Sequence, residues 1–299
     1  MADYAKVLQE LAELRAHIGR IESEILQLQQ IETSSTTAPP AQPATGVTDA
    51  QSNLKSETED NYIPPLLVDE AESILNGTLT DGFPDCCAVG NEFMGYFCTG
   101  TLIAPNLVLT ARHCAQQFSV KRVFLKGNDV NKPEKGETIN VKEVHEHSDP
   151  RVDLMLLVLE HDSKVNACRI AKGTPGEAKA ALVVGFGRTD PAATKGYGRK
   201  RKAKVPIMSM ECGSVDEQAM YGCYEDFEMV AGHRGLKKDT CKGDSGGPLY
   251  IEDDDGGYRL LGVTSRGIRA TGQPCGNGGI YVRADKFTDW IRDQTGINV

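Results

Sequence analysis

The chain has 299 residues, and its 33 Lys plus Arg against 42 Asp plus Glu give a formal net charge of −9. That acidic balance excludes a general nucleic-acid binder, and the longest aliphatic run, Leu154 to Leu159, is far too short for a membrane-spanning helix. Thirty-one glycines against 6% aromatics suit a loop-rich β protein, and nine cysteines point to a disulfide framework with at least one thiol left over.

At the N-terminus Tyr4, Val7, Leu11, Leu14, Ile18, Ile21, Ile25 and Leu28 step by three and four, which predicts an amphipathic or coiled-coil helix over residues 1–32. In that register Glu10 and Arg15 occupy g and e positions and can pair between parallel helices. Two readings stay open: self-association through residues 4–31, or a lone amphipathic helix. No charged n-region and apolar h-region of a signal peptide is visible. The cysteines favour an extracytoplasmic or secreted protein, so the two signals conflict over localisation. From Thr33 the composition turns to Ser, Thr, Pro, Gln and Ala, too polar to bury a core, and a flexible tether is expected through residue 73.

From residue 74 the texture is β. Short runs such as Thr101–Ile103, Leu107–Thr110, Leu154–Leu159, Leu182–Val184 and Leu260–Val263 recur between Gly and Asn/Asp clusters. Only the end reads as helix, with Asp285 as a cap and Phe287, Trp290 and Ile291 on one face.

The chemistry begins at Gly243-Asp244-Ser245-Gly246-Gly247-Pro248. Small neighbours let the backbone turn sharply, expose the Ser245 hydroxyl and aim amides at a substrate carbonyl. The string also satisfies G-x-S-x-G of α/β-hydrolases, but those enzymes place their histidine after the serine, and no histidine follows His233 here. Upstream lie Thr110-Ala111-Arg112-His113-Cys114 and Val152-Asp153-Leu154, so the order is His113, Asp153, Ser245.

On these three motifs, residues 74–299 resemble a trypsin-like serine protease of the chymotrypsin family. The resemblance implies an all-β domain of two six-stranded antiparallel β-barrels with a C-terminal helix and the active site between the barrels. It implies Ser245 as nucleophile, His113 as general base and acid, and Asp153 as the group that orients and stabilises the imidazole. The amides of Gly243 and Ser245 would form the oxyanion hole. Asp239, six positions before Ser245, would floor the S1 pocket between the walls Gly267 and Gly279 and select Arg or Lys. The expected function is a serine endopeptidase cutting protein or peptide substrates after Arg or Lys through an acyl-enzyme, with no cofactor and with no nucleic-acid or membrane partner. The alternative is a catalytically silent binding module on the same fold.

Ile74-Leu75-Asn76-Gly77 resembles a mature start, 39 residues before His113. Residues 33–73 would then include the propeptide, and the freed Ile74 ammonium would pair with Asp244. Ser73 precedes the cut in place of Arg or Lys, so a separate activating protease is expected. The resemblance pairs Cys98 with Cys114 and Cys241 with Cys275. Cys212 and Cys223 are close enough for a local loop, which leaves Cys168 for Cys86 or Cys87. A zinc site at Cys86-Cys87 or at His145 and His147 lacks familiar ligand spacing, so no metal is expected. The family's calcium loop is only loosely echoed by Asn128, Glu134 and Glu137. Three further features depart from the family: Arg112 before the histidine, Arg266 where an aromatic is usual, and the basic stretch Arg199–Lys204 in the position of the autolysis loop. Arg112 is expected to disturb packing behind His113, Arg266 to favour acidic substrate groups at P2–P4, and the basic stretch to be a solvated loop, a self-cleavage site or an anion exosite.

Overall fold

The computed structural model describes residues 74, 77–173, 180–190, 194–233, 236, 239–253, 255–268 and 275–299. The helix expected over 1–32, the tether over 33–73 and the self-association surface at 4–31 lie outside the described residues.

Six strands close a first antiparallel barrel in the order β2-β3-β4-β7-β6-β5: β2 (Cys86–Asn91), β3 (Gly95–Ala104), β4 (Leu107–Thr110), β5 (Arg122–Leu125), β6 (Glu137–Glu146) and β7 (Met155–Leu159). Six more close a second, β9-β10-β13-β12-β11-β8, with the β8–β9 pairing sealing it: β8 (Ala180–Gly185), β9 (Arg201–Ser209), β10 (Glu228–Ala231), β11 (Pro248–Glu252), β12 (Tyr258–Gly267) and β13 (Gly279–Arg283). The two-residue β1 (Thr78–Leu79) lies on β9. The fold is therefore the all-β, two-barrel architecture expected.

Each barrel has its own interior, and two further clusters of buried side chains join the barrels. Val89, Leu102, Val108, Leu125 and Leu157 are among the residues filling the first. Val183, Val205, Met229, Leu249 and Tyr281 are among those filling the second. Between them, Leu107, Leu109 and Leu156 pack on Val263, Val282 and Ile291, while Cys86, Ala88 and Phe124 pack on Val184, Phe186 and Tyr250. Successive side chains of a strand point to opposite faces. All six residues of β2 are buried because one face fills the barrel and the other meets the neighbouring barrel.

Among the described residues there are three α-helices: α1 (Cys114–Gln117), α2 (Val215–Tyr221) and α3 (Thr288–Thr295). Of these three, the sequence predicts only α3. The missed α2 carries a reciprocal Ser214–Glu217 capping box and ends at Gly222 in the left-handed region. Asp285 does not cap α3, whose N-cap is Phe287 without a side-chain bond. It lies instead in a 3-10 turn, Ala284–Phe287, and binds the fully buried Arg283 (Nη2 to Oδ2, 2.6 Å), because a buried guanidinium costs more to leave unpaired than a helix end exposed to water.

Candidate active site

His113 stands between the end of β4 and α1, on the segment that the Cys98–Cys114 disulfide ties to β3. Asp153 precedes β7. One carboxylate oxygen accepts the backbone N–H of His113 at 2.9 Å, and the other accepts His113 Nδ1 at 2.8 Å. A carboxylate only accepts, so Nδ1 carries the proton and Nε2 is left as a base. The hydroxyl of Ser265, on β12, donates to the same Asp153 Oδ2 at 2.7 Å. Burial pushes the Asp153 carboxyl up. The hydrogen bond and charge of His113 and the Ser265 hydroxyl outweigh it and hold the group below its ordinary value.

Ser245 reaches the first barrel through its backbone. Thr99 N–H on β3 donates to Ser245 O at 2.8 Å, and Thr99 Oγ1 donates to Gly243 O at 2.7 Å while accepting Phe186 N–H at 3.3 Å. The next residue, Gly246, has φ +78, and an added Cβ there would lie 2.7 Å from the amide of Ala111, so only glycine lets the Ser245 turn lie against the segment that leads to His113. Among the described residues the Ser245 hydroxyl makes no hydrogen bond. The amides of Gly243 and Ser245 likewise find no acceptor among the described residues.

Asp239 is 2% exposed at the start of the segment bridged by Cys241–Cys275. Its carboxylate accepts the amides of Thr240 (2.8 Å), Gly276 (3.1 Å) and Gly278 (3.0 Å), and among the described residues no cation pairs with it. Burial pushes its pKa up to about 6 despite those bonds. Gly267 and Gly279 are register partners across β12 and β13, and a Cβ on Gly279 would stand 3.0 Å from the Tyr281 ring.

Asp244 is fully buried and accepts the amides of Gly187 (2.8 Å) and Cys241 (2.9 Å); burial pushes its pKa up to about 7. A Cβ on Gly187 would stand 2.5 Å from that carboxyl group, a constraint on Gly185-Phe186-Gly187 that the sequence reading missed. Ile74 sits 1% exposed in the second barrel's core with φ +40, a strained value for a β-branched residue. Its nitrogen is still in a peptide bond and carries no charge.

Several expectations need correction. Cys168 forms no bridge: Cys86, Cys87 and Cys168 are all thiols, beside the three disulfides Cys98–Cys114, Cys212–Cys223 and Cys241–Cys275. Cys87 faces the first barrel's interior and Cys86 the inter-barrel core, while Cys168 Sγ lies against Arg169 O (3.4 Å). The zinc alternative fails on the same divergence. His145 lies 3.6 Å from Glu143, and His147 packs on Phe287 and Trp290. The sulfurs beside His113 are those of a disulfide, not free ligands. Of the calcium-loop residues, Glu137 accepts Ser163 Oγ and Asn128 donates to Asp81. Arg112 turns outward to Glu146 at 3.1 Å, leaving the packing behind His113 undisturbed. The basic stretch is not a solvated loop, because it enters β9 and closes the second barrel. Lys200 is fully buried, its Nζ donating to Phe83 O at 2.7 Å. The Arg266 guanidinium is held by the buried Glu228 at 2.6 Å.

A family model described as Trypsin matches residues 85–291. Trypsin of Sarcophaga bullata is 29% identical over 237 residues, covering 73% of this chain and 87% of that protein. Serine protease filzig of Drosophila melanogaster is 30% identical over 224 residues, covering 67% of this chain and 13% of its own length.

Proposed function

The chain belongs to the trypsin family and is a serine-type endopeptidase, and on that premise we propose that it cleaves protein substrates after Arg or Lys through a Ser245–His113–Asp153 triad. The observation that carries this specificity is Asp239: a buried carboxylate bonded by the amides of Thr240, Gly276 and Gly278 and by the Thr240 hydroxyl, with no paired cation among the described residues. A guanidinium or ammonium entering there supplies the missing charge, and leaving such a site unpaired costs about 2–5 kcal/mol.

Ser245 attacks the scissile carbonyl while His113 Nε2 takes its proton. The unpaired amides of Gly243 and Ser245 receive the developing oxyanion, a contribution of ~10²–10³ in rate per donor. His113 returns the proton to the leaving amine, and water then releases the acyl group by the same route. Asp153, kept ionised by its hydrogen bonds, holds the imidazole tautomer throughout.

The uncut chain is a zymogen in this reading. Two observations support it: the fully buried carboxyl of Asp244, which burial raises despite its two amide bonds and the charge of Arg201, and the strained φ of Ile74, a conformation of the kind that costs on the order of 1–3 kcal/mol. Cleavage before Ile74 releases that strain and creates an ammonium for Asp244. Because Ser73 precedes the cut, another protease performs it.

The test uses the full chain carrying Ser73→Arg, cut by an added protease that is then inhibited. Amide substrates with Arg, Lys, Phe and Ala before the cleaved bond are assayed side by side. Arg and Lys should exceed Phe and Ala by at least ~10² in kcat/KM, and Asp239→Asn should erase the preference. A preference for Phe or Ala, or one unchanged by Asp239→Asn, would overturn the specificity.

A further inference from the structure

Glu228, at the start of β10, is a fully buried carboxylate. It grips the Arg266 guanidinium with both oxygens, Nη1 to Oε1 at 2.6 Å and Nη2 to Oε2 at 2.7 Å, and Oε2 also accepts the Tyr224 amide at 2.7 Å. Arg266 Nη2 donates to Gly222 O at 2.8 Å, and the guanidinium lies 5.6 Å from the Tyr224 ring centroid. This fork has a third contact: Nη1 donates to Ser265 Oγ at 3.3 Å. A guanidinium cannot accept, so Ser265 Oγ must accept from it and point its own proton elsewhere, namely at Asp153 Oδ2, 2.7 Å away. Consecutive residues of a regular strand face opposite ways. Here a bulge in the β12–β13 pairing, between Thr264 and Arg266, lets Ser265 and Arg266 serve one site.

We propose that Arg266 is a positioning residue of the catalytic centre: clamped by Glu228, it fixes the Ser265 hydroxyl toward Asp153 and places a permanent positive charge beside the triad carboxylate. This rests on the triad reading above. The groups facing Asp153 are His113, Ser265 and, through its charge, Arg266; those facing Arg266 are Glu228, Tyr224 and Asp153. Removing the positive charge, with Glu228 left negative, favours protonation at the triad. The acid limb of the kcat/KM profile then moves to higher pH.

The test compares the activated full chain with Arg266→Gln, Arg266→Lys and the double variant Arg266→Gln/Glu228→Gln. The double variant leaves no buried charge unpaired and so guards against misfolding. Arg266→Gln should lower kcat/KM about 10-fold, mostly in kcat, and raise the acid limb by about 0.5 pH unit. Arg266→Lys, which keeps the charge but not the fork, should restore the limb and not the full rate. The proton on His113 Nδ1 gives a second readout by NMR, and its resonance should shift in Arg266→Gln. Folded variants with kcat/KM within twofold of the parent, an unmoved acid limb and an unmoved resonance would overturn the proposal. If the parent cleaves no substrate, the triad reading falls instead, and the resonance still decides whether Arg266 couples to Asp153.

Discussion

Asp244 and Asp239 are two acids held where water cannot solvate their charges, and each shows how one residue couples folding to function. The ordinary carboxyl value of Asp244 is 3.8, and burial raises it to about 7. Across that window the folded chain binds more protons than the unfolded one, so this contribution to stability is complete below the unfolded value and is lost as pH rises through about 7. At ~1.4 kcal/mol per unit, the loss for the uncut chain is on the order of a few kcal/mol. Asp239, raised to about 6, adds a slope of the same sign. Denaturant unfolding of the uncut chain at pH 4 and pH 8 should therefore show less stability at pH 8, and Asp244→Asn should flatten much of that difference. An identical difference in Asp244→Asn would place the titration elsewhere. After cleavage the Ile74 ammonium should remove the Asp244 slope altogether.

At the scale of elements, one threonine of β3 joins the two barrels at the Gly243–Ser245 turn. Thr99 is fully buried, and its hydroxyl serves both Gly243 O and the Phe186 amide. Thr99→Val keeps the shape and strands both partners in a dry interface, where each unsatisfied group costs about 1–3 kcal/mol. Chemical denaturation should show that loss, and kcat should fall more than KM changes, because the Gly243–Ser245 turn loses its anchor; unchanged stability would show that water or a shifted backbone satisfies both groups. Local patterns foretold only part of this layer. The β runs were visible because apolar residues cluster between turn formers. Helix α2 was legible too, in Ser214-x-x-Glu217 and Gly222, yet a seven-residue helix with no buried side chain leaves no apolar periodicity to find. Thr99, Ser265 and Glu228 had no local signature, since their roles depend on partners far along the chain.

In the whole molecule the proposed triad draws on segments far apart along the chain, and Thr99 of the first barrel bonds Ser245 O beside the second. Motif order singled out His113, Asp153 and Ser245 as the proposed triad because short, rigid turns leave recurrent sequence marks, and the His113–Asp153 hydrogen bond lies where that order puts it. The fate of Lys200 could not be read that way: a run of five basic residues within Arg199–Lys204 looks solvated until barrel closure shows that β9 carries it inward. The pairing left for Cys168 failed as well: Cys86 and Cys168 pack into the same inter-barrel cluster, and both remain thiols.

The central claim is that Ser245 is a nucleophile activated by His113 and Asp153. Its most direct test is labelling of the activated chain with a fluorophosphonate carrying a cationic side chain, followed by peptide mass mapping. The account predicts one label per chain, on Ser245, slowed at least ~10³-fold by His113→Ala or Asp153→Asn. A label on another residue, or labelling of Ser245 at an unchanged rate without His113, would contradict it.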